Sequence, residues 1–361
     1  MQKKRIAIKV GSNVLTRDDG KLDISRIAHL VDQISHLKAN GHEVVLISSG
    51  AVAAGRDVLE KNGKTDIVVY KQMCSAIGQV KLMNRYYDFF GDRGIQCAQV
   101  LTTKENFSDR QHYLNMKNSM SAMLDHGLLP IVNENDTIAV TELMFTDNDE
   151  LAGLIATMLD CDILLLLSNI DGIYDGHPEE ADSKLIPIIS SPEEDLQRFI
   201  SDKTSAFGRG GMFTKCSIAQ KTADHGIQVF IANGKRNNII LDLIHEASVP
   251  STAFIANGKK AKSIKKWLSH SNGFAKGKVI INQGAREALF AREAKSLLCV
   301  GVVGIEGFFL NGDLIQIWDQ QDQLLGLGKS NYDSEELHEI KGSRQKKALI
   351  HYDYLHLEKQ Y

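Results

Sequence analysis

Apolar positions along the first 245 residues follow one repeating order: a stretch at helical spacing, a glycine, then a short β-branched run. Ile24, Ile27, Leu30, Val31, Ile34 and Leu37 form a stripe at three- and four-residue spacing that ends at Asn40-Gly41, and the run EVVLIS follows. Met83 to Phe90 leads through Gly94 to IQCAQVL. Met116, Met120, Met123 and Leu124 lead through Gly127 to LLPIVN, and Ile218 to Ala223 leads through Gly226 to IQVFIA. Each glycine stands just past a helix end, where a left-handed residue closes the last turn and glycine takes it up at least cost. Such alternation predicts right-handed β-α-β crossovers and an α/β fold, a mainly parallel sheet with helices on both faces. Strands starting near Arg5 and Asp162 belong to the same sheet.

The pattern changes after Pro250. Residues 251–272 carry Lys259, Lys260, Lys262, Lys265 and Lys266 followed by Trp267, and read as a connector. Beyond it, Lys278 to Asn282, Leu298 to Val303, Asp313 to Trp318 and Leu324 to Gly328 read as short strands separated by glycine or asparagine turns. The chain therefore divides into an α/β domain over 1–250, the connector 251–272, and a small β-rich domain over 273–361.

Composition narrows the class. At 361 residues, with 43% hydrophobic and 24% charged, the chain has enough apolar content for two packed domains, which removes disordered and collagen-like readings. The net charge of −3 provides no general attraction to nucleic acid or an anionic membrane, so any basic site is local. The apolar run behind MQKKR is interrupted by Lys9 and is too short for a signal sequence, and no stretch reaches the length of a membrane span. Five scattered cysteines without a C-x-x-C spacing fit reduced thiols. These features together point to a cytoplasmic protein.

The polar motifs fall where ligands bind in open α/β sheets, beyond the carboxyl ends of strands. KVGSN (Lys9 to Asn13) follows the first strand, ISSGAVAAG (Ile47 to Gly55) the second, NEND (Asn133 to Asp136) the fourth and SNIDG (Ser168 to Gly172) the fifth. A further stretch, GRGGMFTK from Gly208 to Lys215, combines three glycines with a lysine at the start of a helical pattern. Closely spaced glycines let backbone N–H groups face an anion, and the helix N-terminus favours negative charge. The same composition also serves simple helix capping, and the G-x-x-x-x-G-K-[ST] frame is absent.

Lys9 at a strand end and Lys215 in the first turn of a later helix could meet at one polyphosphate, although each also reads as a solvated lysine. Two lysines without a general base suit phosphoryl transfer, which depends on positioning and charge stabilisation. The strand-end motifs contain no histidine, and a carboxylate acceptor, ionised at neutral pH, needs no base. Asp149 can hold the lysines apart, while Asp136 with Asn133 and Asn148 can grip a substrate ammonium; FTDND also supplies a helix cap. Ser49 and the amides near Gly50 can hold an anionic part of the acceptor. Small residues in SSGAVAAG equally serve close packing of a helix on the sheet.

KVGSNVLT, SSGAVAAGR, VNENDTIA, DNDELAG, LLLLSNIDGIY and GRGGMFTK, in this order and at these separations, resemble the amino acid kinase superfamily, most closely its glutamate 5-kinases. INQGAREAL, SLLCVGV, GIEGFFLNGDLI and GLGKSNYDSEEL are similar to a PUA domain. The resemblance implies an amino acid kinase-like sandwich that phosphorylates the side-chain carboxylate of L-glutamate with ATP. Its product would be L-glutamyl 5-phosphate, in the first step of proline biosynthesis.

Carried over by position, Lys9 and Lys215 contact the transferring phosphate and Asp149 orients them. Ser49, Asp136 and Asn148 match substrate positions, with Asn133 beside them. Lys9, Ser168, Asn169 and the loop Arg209, Gly210, Gly211, Met212, Phe213, Thr214 and Lys215 match nucleotide positions. Mg²⁺ would be held mainly by the phosphates. The resemblance further implies feedback inhibition by proline, a homo-oligomer, and delivery of the acyl phosphate to glutamyl phosphate reductase. The chain departs from the family at Arg209, where threonine is usual, at Phe213, where a small residue is usual, and at SNIDG, where a threonine-aspartate pair is common. Kinases of N-acetylglutamate or aspartate are the nearest alternatives. RNA binding through the PUA-like domain and the lysine-rich connector is the alternative from another class, disfavoured by the acidic net charge.

Overall fold

The computed structural model describes residues 2–56, 58–59, 66–138, 148–176, 180, 182–189, 211–256, 275–291, 295–345 and 347–357. The lysine-rich run from Lys259 to Lys266, with Trp267, lies outside them. Two compact units emerge, Met1–Asn106 with Leu114–Lys260, and Phe107–Tyr113 with Ala261–Tyr361.

The first unit is built on an eight-stranded sheet of β1 (Arg5–Val10), β2 (Glu43–Ser48), β3 (Cys97–Thr102), β4 (Leu129–Glu134), β5 (Ile163–Ser168), β6 (Ile188–Ile189), β7 (Gln228–Asn233) and β8 (Ser251–Phe254). Their order across the sheet is β3-β4-β2-β1-β5-β7-β8-β6. Pairing is parallel from β3 through β7, and β8 runs antiparallel to β7. The mainly parallel α/β sheet expected from the alternation is the one observed. Gly41, Gly94, Gly127 and Gly226 all close their helices with φ between 68° and 83°. Ser251, expected to open a connector, instead opens β8: Thr252, Ala253 and Phe254 are all buried, so the segment lacks the alternation that marks a half-exposed strand.

The helices are α1 (Ser12–Leu15), α2 (Ile24–Ala39), α3 (Ala51–Arg56), α4 (Ile67–Gly91), α5 (Glu105–Ser108), α6 (Arg110–Asp125), α7 (Asn148–Met158), α8 (Gly211–Asp224) and α9 (Ile239–Ile244). Strand periodicity divides β1 between two faces. Ile6, Ile8 and Val10 pack with α2, with Leu82, Tyr86 and Phe90 of α4, and with α9. The intervening Ala7 and Lys9 face the other layer, where α7 lies against β1 and α8 packs on α7. A lysine within the apolar run Ile6 to Val10 of a central strand is thereby aimed at the N-terminal ends of two helices.

The small unit carries a five-stranded sheet, in the order β10 (Val302–Gly307), β9 (Gly277–Ile281), β11 (Leu314–Trp318), β12 (Leu324–Lys329) and β13 (Leu355–Leu357). Helices α10 (Gln283–Phe290) and α11 (Ser334–Ile340) accompany it around a core that includes Val279, Phe309, Ile315 and Leu325. The strand expected over 298–303 starts later. Cys299–Gly301 is a 3₁₀ turn, closed by the Gly301 N–H on the Leu298 carbonyl, and β10 begins at Val302.

Candidate active site

Lys9 leaves the end of β1 with 3% of its surface exposed, and its Nζ lies 2.6 Å from Oδ1 of Asp149. Asp149 is fully buried in the first turn of α7. Its Oδ2 lies 2.5 Å from Nζ of Lys215, in the first turn of α8. Two ammonium groups thus flank one carboxylate, which satisfies the charges that burial would otherwise penalise heavily. With both oxygens engaged by lysines, Asp149 is suited to hold them in place.

The residue before Asp149 begins a second cluster. Asn148 Nδ2 donates to Ser49 Oγ at 2.8 Å and to Asn133 Oδ1 at 3.1 Å. Both amide hydrogens are used, so Oδ1 is the polar atom that its side chain has left. Asn133 is nearly buried at the end of β4, and Asp136 follows in the turn beyond. Burial pushes the Asp136 carboxyl up from its ordinary value, and a hydrogen bond from Ser75 Oγ at 2.8 Å acts against that rise. Ser49 sits before Gly50, whose φ of 102° makes the turn from β2 into α3. The first turn of α7 therefore joins two halves: Asn148 belongs to a cluster of acceptors and hydroxyls, and Asp149 to the lysine pair.

Ser168 and Asn169 stand at the end of β5 on the same sheet edge. The SNIDG turn is anchored twice: Arg236 grips Asp171 with bonds of 2.8 and 2.7 Å, and Thr252 Oγ1 accepts from the Ile173 N–H at 2.8 Å. In the glycine-lysine stretch, Gly208, Arg209 and Gly210 lie outside the described residues, as does the side chain of Phe213. Gly211 opens α8 as expected, with Met212 and Thr214 half-buried before Lys215. The residue capping α7 also precedes the described part.

Sequence reasoning read Met83 to Phe90 of α4 as a helix but overlooked the polar residues of its earlier turns. Ser75 and Gln79 are 3% and 8% exposed, and Gln79 Oε1 accepts from Asn133 Nδ2 at 2.8 Å. The available signal was a pair of polar residues on the helix face that continues as Leu82, Tyr86 and Phe90. The small residues of SSGAVAAG also find a different partner from the sheet. A Cβ on Gly55 would lie 1.8 Å from the Cys74 carbonyl oxygen, and one on Gly78 would lie 1.7 Å from that of Ala51, so α3 and α4 touch backbone to backbone.

Residues 4–233 match the amino acid kinase family, and residues 277–352 match the PUA domain. The chain belongs to the amino acid kinase family. A relative from Bacteroides thetaiotaomicron named glutamate 5-kinase is 53% identical, covering 98% of this chain and 98% of its own. One of the same name from Chlorobaculum tepidum is 45% identical over 98% of this chain and 97% of its own. Similarity of this extent places the chain among the glutamate 5-kinases of the family. Carbamate kinase from Giardia lamblia, solved with AMP-PNP, shares the fold at a TM-score of 0.52 and 15% identity, covering 71% of this chain and 99% of its own.

Proposed function

We propose that this family member transfers the γ-phosphoryl group of ATP to the side-chain carboxylate of L-glutamate, forming L-glutamyl 5-phosphate for proline biosynthesis. The observation that carries the reading is the joined pair of clusters at the start of α7. Lys9 and Lys215 offer two cations to the transferring group, and Asp149 fixes their separation. Such a pair can neutralise charge on the equatorial oxygens as the phosphoryl moves. An ionised carboxylate acceptor gives up no proton, so a site whose central carboxylate is already engaged by lysines meets the chemical demand.

Asn148 Oδ1 and the Asp136 carboxylate supply acceptors for an ammonium group, while Ser49 faces the same cluster. An acetylated nitrogen is neutral and has one hydrogen to give, so these acceptors favour the free amino acid over N-acetylglutamate. Ser168, Asn169, Met212 and Thr214, with Arg209 and its glycines, form the nucleotide side in this reading. Mg²⁺, when bound with ATP, would supply charge neutralisation and would be held by the phosphates, since Asp149 is taken up by two lysines.

The same α-amino acid chemistry would admit proline as a feedback inhibitor. The acyl phosphate product is labile and calls for a reductase to consume it, glutamyl phosphate reductase in this reading. No helix among the described residues is long and apolar enough to cross a membrane, and we place the reaction in the cytoplasm.

Trapping acyl phosphate as hydroxamate, with glutamate, N-acetylglutamate and aspartate offered in parallel and with or without proline, tests the assignment. Turnover with glutamate alone, reduced by proline, is expected. Equal turnover of either other acceptor would overturn the substrate assignment.

A further inference from the structure

The buried face of α4 changes character along its length. Its lower part, Leu82, Tyr86 and Phe90, belongs to the apolar core, whereas one and two turns earlier the same face carries Gln79 and Ser75. Polar side chains at core positions of a helix cost stability unless they are fully bonded. Here each is bonded to a residue of the amino-acid half of the site. Ser75 Oγ donates to Asp136 Oδ2 at 2.8 Å, and Gln79 Oε1 accepts from Asn133 Nδ2 at 2.8 Å.

The bond from Gln79 sets the sense of a relay. Asn133 spends its NH₂ on Gln79 and turns its Oδ1 to Asn148, and Asn148 spends both hydrogens on Asn133 and Ser49. Its Oδ1 is then left for the ligand. Reversing the first amide would reverse what the last one offers. A third contact from the same face, between Tyr86 Oη and Ser48 Oγ at 2.8 Å, ties α4 to the end of β2 beside Ser49. Ser75 and Gln79 flank Gly78, where α4 is pressed against α3, so their backbone is held in place independently of any ligand.

We infer that Ser75 and Gln79 are positioning residues for the amino-acid substrate, holding Asp136 and Asn133 in the orientation that presents acceptors to its ammonium group. The inference rests on the proposed glutamate kinase reading and adds to it a part of α4 that touches no reacting atom. Its signature is a split in kinetic parameters: the affinity for glutamate depends on these two side chains, and the transfer step does not.

The test compares the full-length protein with Ser75→Ala, Ser75→Thr and Gln79→Met. KM for glutamate, KM for ATP and kcat are measured together with calorimetric binding of glutamate and thermal melting. Ser75→Ala and Gln79→Met are each expected to raise KM and Kd for glutamate about tenfold, as loss of a hydrogen bond to a charged or buried partner does. Both should leave kcat and KM for ATP within about twofold, and Ser75→Thr, which keeps the hydroxyl, should restore the affinity. Unchanged glutamate parameters in the folded variants would overturn the inference. So would a parallel loss of kcat and ATP affinity, which indicates general loosening. Should one variant fail to fold, the other still gives either answer. An unsubstituted protein that neither binds nor phosphorylates glutamate would bring down the proposed function, and this inference with it, whatever the variants do.

Discussion

Asp149 carries more of this site than its size suggests. A carboxylate with no exposed surface is tolerable because Lys9 closes on it from a strand end and Lys215 from a helix, and the lysines are kept apart because it stands between them. Replacing Lys215 with alanine should lower kcat by roughly a thousandfold while leaving calorimetric glutamate binding nearly intact, since its interaction strengthens only as charge moves in transfer. Asp149→Asn leaves two buried ammonium groups facing a neutral amide. Breaking such a network costs about 3–5 kcal/mol, and a urea melt should show a loss of that order together with the loss of turnover. Asp136 yields a pH prediction. Burial raises its pKa, so it protonates at a higher pH than an ordinary aspartate and then no longer attracts an ammonium group. KM for glutamate should therefore rise as pH falls from neutrality, starting above the usual aspartate range, and Asp136→Asn should abolish that dependence while raising KM throughout.

At the scale of elements, the site depends on two joints, each of which ties a strand-end motif to a residue or helix outside it. The first is the contact of α3 with α4, which fixes the SSG turn relative to Ser75 and Gln79. Gly78→Ala would drive a methyl group to 1.7 Å from the Ala51 carbonyl, so the helices must separate. Destabilisation of about 2–4 kcal/mol is expected in denaturant melts, with a higher KM for glutamate in whatever fraction folds. The second is the grip of Arg236 on Asp171, in the turn that follows Ser168 and Asn169, the proposed nucleotide residues. The Arg236 guanidinium holds the Asp171 carboxyl below its ordinary pKa. Its stabilising effect is accordingly present above the unfolded aspartate pKa and is lost as pH falls through the lower folded value. Arg236 is partly exposed, so the pair contributes less than about 1 kcal/mol. Arg236→Ala should instead appear as a several-fold higher KM for ATP, because the SNIDG turn loses one of its two anchors.

The whole molecule presents an apolar band on the outer side of α4. Val69, Met73, Val80 and Tyr87 recur at helical spacing and are all exposed, and β3, an edge strand of the sheet, exposes Leu101. Burying such a band against a second copy removes it from water, and light scattering after size exclusion should report a multiple of the 40.0 kDa chain mass. Much of this architecture can be read from residue order. Helical spacing, closing glycines and β-branched runs are local properties, so the parallel sheet, its helices and the strand-end location of Lys9, Ser49, Asn133 and Ser168 follow from them, and the ordered motifs identify the family. Tertiary structure alone decided three other matters. It set β8 into the large sheet, because a fully buried short strand carries no alternation to recognise. It turned the small residues of α3 toward another helix, because composition indicates close approach without naming the partner. It also brought Ser75, Gln79 and Arg236 to the site across 61, 54 and 65 residues of sequence. Periodicity tells which face a side chain occupies, whereas the hydrogen-bond partner waiting on that face is a property of the folded chain.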